Sequence, residues 1–149
     1  MKITSPVFKN NELVPPKYTC SGFDINPPLE ISDVPKEAKS LALIVEDPNA
    51  AVGTWLHWII WNIKPETTLI EENSLPPEAV EGMTDFGSAG YGGPCPPAGT
   101  HHYYFKLYAL DKKLDLKKNS SRDDLEKAIS GHVVDSAELI GLYKRHQNI

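Results

Sequence analysis

Gly90-Tyr-Gly-Gly-Pro-Cys-Pro-Pro-Ala-Gly-Thr-His-His-Tyr-Tyr-Phe-Lys-Leu-Tyr-Ala-Leu-Asp111 runs a loop stiffened by glycine and proline straight into a strand that begins with histidine. Alternation puts His101, Tyr103, Phe105, Leu107 and Ala109 on one face and His102, Tyr104, Lys106 and Tyr108 on the other. The first face is the apolar one, so His101 and Tyr103 belong at the core-side rim of a sheet and His102 faces outward. Polar groups at such a rim are costly unless they have a protein partner or a ligand.

Outward from this strand the chain reads as β-rich. Thirteen prolines are present, doubled at Pro15-Pro16, Pro27-Pro28, Pro76-Pro77 and Pro96-Pro97. Each pair interrupts helices and central strands, which predicts short strands joined by stiff loops. Strands are expected over 2–8, 40–46, 56–63 and 102–110. Around Trp55-Leu-His-Trp-Ile-Ile-Trp-Asn62 both faces are apolar, the pattern of a central strand covered on both sides. One helix is expected over Arg122 to Ser130, capped by Ser120-Ser121, with Asp123 and Asp124 at its positive end and Gly131 past its finish. The segment Ala137 to Arg145 is open between helix and strand.

Composition narrows the classes. At 149 residues, 40% hydrophobic and 23% charged, the sequence fits a single domain, 1–149, with a sizeable core. A net charge of -5 argues against a nucleic-acid partner, which would demand a basic field. With no apolar run of membrane-spanning length and no signal-peptide core, a cytoplasmic protein is expected. Cys20 and Cys95 lack zinc spacing; they read as reduced thiols, or as one bridge if their loops meet.

Asp47 precedes the end of pairing imposed by Pro48, placing its carboxylate at a strand's carboxyl end. His57 lies inside an apolar strand, where it is either a core histidine holding a loop or a partner of that carboxylate. With His101, two imidazoles and a carboxylate share one rim. Gly92-Gly93 could offer backbone N–H groups as an anion nest, in a loop stiffened by Pro94, or could simply form a tight turn. Ser88 lacks nucleophile-elbow spacing, and Cys95 lies between two prolines that offer no N–H to a thiolate. Asp47, His57 and His101 are ligand types that zinc accepts, but without a close-spaced pair. No catalytic residue, metal or cofactor is therefore expected.

Asp47-Pro-Asn-Ala50, Trp55-Leu-His57-Trp through Asn62, Gly90 to His101 and Tyr103 to Asp111 together resemble the phosphatidylethanolamine-binding protein family. The likeness is to its bacterial and archaeal branch, the Raf kinase inhibitor-like proteins, and runs from Ser5-Pro6 to Arg145. It implies antiparallel β-sheets packed face to face with Greek-key connections and one or two peripheral helices, and a strand for the last segment. It also implies a pocket for phosphate, acetate or a phospholipid head group, with Asp47, His57, His101 and Tyr103 in it and Gly92-Gly93-Pro94 as a wall. Asn49, Ala51 and His102 depart from residues common in the family, an aspartate, a proline and an arginine respectively. The end of the sequence just past Arg145 resembles the short microbial members, implying an open mouth or one covered by a second subunit in a homodimer.

The function expected is non-catalytic binding of a small anionic or zwitterionic ligand such as a phosphoethanolamine-like group, with both histidines donating N–H bonds. Charging of the imidazoles is expected to raise affinity below about pH 6.5. The alternatives are inhibition or modulation of a protease or kinase through the rim loops, and a hydrolase or metalloenzyme using the same cluster.

Overall fold

The computed structural model describes residues 1–145. In chain order its elements are β1 (Lys2–Thr4), β2 (Glu12–Leu13), β3 (Leu29–Ser32), β4 (Ser40–Asp47), β5 (Trp55–Ile63), β6 (Leu69–Ile70), β7 (Val80–Glu81), β8 (Thr100–Leu110), α1 (Arg122–Ile129) and β9 (Val133–Lys144). They form a three-stranded sheet, β1-β3-β6, and a six-stranded sheet, β2-β9-β8-β4-β5-β7. After β7 the chain crosses to the far side of β4 to lay down β8, the crossover that separates a Greek key from a meander. The fold is mainly β, as expected.

Three differences from the expectation have physical causes. The first strand stops at Thr4, because Ser5-Pro6 cannot continue the ladder. The pairing is not wholly antiparallel: β2 lies parallel to β9, with Glu12 opposite Gly141. These strands are remote in sequence, so no tight turn dictates their direction. Strand β5 is covered on both faces, yet only the two-residue β7 lies beyond it; the most enclosed strand is β4, buried at all eight positions. The segment that periodicity left open is the strand β9.

The large sheet is the middle layer. One face packs Leu43, Val45, Trp58, Ile60 and Phe105 against Ile3, Leu29 and Ile31 of the small sheet. The other packs Ala42, Ile44, Ile59 and Trp61 against Leu114, Leu125 and Ile129 from α1 and the segment before it. Helix α1 opens with a capping box: the Ser121 hydroxyl accepts from the Asp124 N–H, and the Asp124 carboxylate accepts from the Ser121 N–H. Arg122 then docks the helix by pairing with the buried Glu46 carboxylate, which also pairs with Lys106 on β8. Among the described residues no helix is long and apolar enough to cross a membrane.

The large sheet carries an irregularity that sets a histidine and its neighbour on one face. Val45 pairs with Trp58 and Glu46 with Leu56, so β5 has an extra residue there, and that residue is His57. A β-bulge of this kind breaks the alternation of the strand. Leu56 packs on the helix side and Trp58 on the small-sheet side, and His57 joins Trp58 on the small-sheet side, where Tyr103 also lies.

Candidate functional site

At the end of the sheets where β4 finishes and β8 begins, a cavity of about 200 Å³ is lined by Asp47, Ala50, Trp55, His57, Phe86, Cys95, Pro96, Pro97, His101 and Tyr103. Asp47, His57, His101 and Tyr103, all singled out from the sequence, are thus brought together. Gly92, Gly93 and Pro94 are not part of the lining. The wall comes from the next residues of the same loop, Cys95 to Pro97.

The expected anion nest does not form, because both amides are already donated. Gly92 N–H bonds the His57 carbonyl at 3.0 Å, and Gly93 N–H bonds the Asp24 carboxylate at 2.8 Å. Glycine is required there for close approach instead: a Cβ on Gly93 would stand 2.3 Å from the Tyr18 carbonyl oxygen, and one on Gly92 would strike the Phe86 ring. The loop is held further by the Tyr91 hydroxyl on the Tyr18 carbonyl, 2.7 Å, and by a Cys20–Cys95 disulfide. That bridge decides the choice left open for the two cysteines and leaves Cys95 no free thiol.

Asp47 holds His101 rather than His57. Its Oδ2 accepts from His101 Nδ1 at 2.6 Å, and its Oδ1 accepts from the Asn49 N–H at 2.7 Å. His57, only 4% exposed, has a different partner: its Nδ1 lies 2.6 Å from the Gly92 carbonyl oxygen. Carbonyl and carboxylate oxygens only accept, so Nδ1 carries the proton in both rings. Neither Nε2 has a protein partner among the described residues, and neither is sealed from solvent. Burial pushes the His57 pKa down, against the opposing influences of the Gly92 carbonyl and of Asp47, Asp24 and Asp85. With Nδ1 committed to the Gly92 carbonyl, Nε2 is the His57 ring nitrogen left for a guest.

Tyr103 stands edge-on to His57, ring centroids 5.2 Å apart, and stacks beside His101 at 6.4 Å. Its hydroxyl is fully enclosed yet has no hydrogen-bond partner among the described residues. Burial first, then the charge of Asp47, drives its pKa well above the ordinary tyrosine value, so it stays a donor. His102 faces outward as expected. Its N–H and its ring Nδ1 both reach the Asn49 side-chain oxygen, at 2.9 and 3.0 Å, so two of the departures from common family residues meet each other.

The aromatic and proline lining was missed from the sequence. Trp55 could have been found, since it precedes His57 by two and shares its face; Phe86, in a loop, leaves no local signal. No group of three or more histidine, cysteine or acidic side chains among the described residues is arranged to hold a metal ion.

A model of the phosphatidylethanolamine-binding proteins matches residues 4–144. The chain belongs to this family. Among its relatives, a UPF0098 protein of Pyrococcus horikoshii is 52% identical over 153 residues, covering 97% of this chain and 77% of that protein. Another, from Methanothermobacter thermautotrophicus, is 49% identical and covers 97% and 99%. In structure, this family member superposes on a phosphatidylethanolamine-binding-protein homologue of Chlamydia trachomatis with a TM-score of 0.94, at 42% identity and 97% coverage of both chains. Escherichia coli YbcL, described as a member of the mammalian family, gives 0.90 at 34% identity, covering 97% and 98%.

Proposed function

We propose that the cavity binds a small oxyanion of the phosphate type without catalysing its reaction. The observation that carries this reading is the enclosed Tyr103 hydroxyl, which lacks a partner beside two imidazoles whose Nε2 atoms are free. An unpartnered buried hydroxyl costs about 1–3 kcal/mol, a cost that a bound acceptor removes. Asp47 holds the His101 ring so that its protonated form points Nε2–H at the guest, where a charge-assisted bond is strongest. The cavity volume suits a phosphate-sized group, below the usual range of drug-like pockets.

Calorimetric titration with inorganic phosphate tests this. Saturable binding at one site per chain is expected, weakened about tenfold or more in His101→Ala and in Tyr103→Phe, each of which removes one donor to a charged acceptor. Binding unchanged in both variants would remove the cavity from the function.

A further inference from the structure

One wall of the cavity is fastened by a covalent tie. Cys95, Pro96 and Pro97 form it, and the hydrogen bonds of their loop all lie before them. These are the amides of Gly92 and Gly93, the Tyr91 hydroxyl, and the Pro94 carbonyl, which accepts from Cys20 N–H at 3.1 Å. From Cys95 to Ala98 neither backbone nor side chain makes a hydrogen bond among the described residues. That stretch is held by the bridge to Cys20 at one end, by β8 from Thr100 at the other, and by the packing of the buried Pro96 between them. We infer that the Cys20–Cys95 bridge is a reducible latch: closed, it fixes the wall over the cavity, and open, it lets residues 95–99 swing out and a guest leave. The release of a guest rests on the cavity binding a phosphate-type ligand, whereas the movement of the wall does not.

Three features suit the bridge to this role. Cys20 is exposed while Cys95 is half-buried, and exposed disulfides are the ones open to thiol exchange. One thiolate of a dithiol reductant attacks Cys20 Sγ, the S–S bond breaks, and Cys95 leaves as a thiolate that takes up a proton. The reductant's second thiolate then attacks the mixed disulfide, which frees Cys20 as a thiol and leaves the reductant oxidised to its own disulfide. Next, the latch can close again: Cys20 N–H stays on the carbonyl of Pro94, the residue before Cys95, so an oxidant re-forms the bridge in place. Finally, the freed stretch moves as a panel, because Pro96 and Pro97 keep it stiff and Gly99, at a φ of 71°, gives it a pivot beside β8.

Nitrogen-15 relaxation of the protein before and after dithiothreitol tests the latch without any ligand. Both cysteines should become titratable thiols while the far-ultraviolet circular dichroism stays the same. The order parameters of the Cys95 and Ala98 amides should fall from about 0.85 to below about 0.6, and those of the hydrogen-bonded Gly92 and Gly93 should hold. Calorimetry with inorganic phosphate should show the reduced protein binding about tenfold more weakly, the loss expected if the closed wall is then populated about a tenth of the time. Cys20→Ser with Cys95→Ser should match the reduced protein in either buffer. Glu46→Gln, which destabilises the fold without touching the loop, should match the oxidised protein while its bridge is closed. Unchanged order at Cys95 and Ala98 on reduction, a loss of order that spreads to Gly92 and Gly93, or equal phosphate affinity in the two states would overturn the inference. Phosphate failing to bind either state would overturn the ligand reading alone, with the relaxation change still supporting the latch.

Discussion

Cutting the Cys20–Cys95 bridge, by Cys20→Ser with Cys95→Ser, should lower stability mainly through the unfolded chain. The bridged residues are 75 apart in sequence. In the chain-entropy treatment a loop of that length restricts the unfolded ensemble by about 4.5 kcal/mol at 25 °C. With an unfolding entropy of roughly 2.1 cal/mol/K per residue over the whole chain, that is a fall in Tm of about 14 °C. The folded structure has independent ties at the same place: Cys20 N–H to the Pro94 carbonyl, 3.1 Å, Gly93 N–H to Asp24, and the Tyr91 hydroxyl to Tyr18. The fold should therefore survive the change. Guanidinium unfolding followed by fluorescence, with and without reductant, measures the effect, and the m-value should rise because the unlinked chain exposes more surface. A stability change below about 1 kcal/mol with the same m-value would refute the reasoning.

Two further changes probe the polar groups. Glu46→Gln should cost about 2 kcal/mol at neutral pH, because a buried carboxylate loses its charge between Lys106 and Arg122. Burial alone would raise the pKa of Glu46, but the bonds from Lys106 and Arg122 hold it below the ordinary 4.5. Its contribution is then present above that pH and lost as pH falls through the folded-state value, so wild type and variant should converge in urea denaturation under acid. Tyr103→Phe should leave stability unchanged or raise it by about 1 kcal/mol, since the hydroxyl has no partner to lose. Thermal unfolding without ligand checks this, and a clear loss would mean the hydroxyl has a structural role.

Much of the fold was legible from local signals. The alternation of β8 placed His101, Tyr103 and Phe105 on the inner face, and Ser121 with Asp124 marked the start of α1. Strand β3 was missed because four residues after Pro27-Pro28 carry too little periodicity, and β6 and β7 are two residues each. Strand β9 was named only through the family resemblance. At the site, the four side chains were legible but their wiring was not. A bulge leaves no residue signature, so the placing of neighbours His57 and Trp58 on one face depends on the register of β4 against β5. The amides of Gly92 and Gly93 are claimed by His57 and Asp24, partners remote in sequence that no local reading could assign.

The most direct measurement of the central claim is a nitrogen-15 titration of the histidine side chains with inorganic phosphate. The sequence has five histidines. Nε2 of His57 and of His101 should shift with a common saturation curve, His57 keeping its proton at Nδ1, while the outward His102 and His132 stay still. Shifts confined to His102 and His132, or none at all at saturating phosphate, would contradict it.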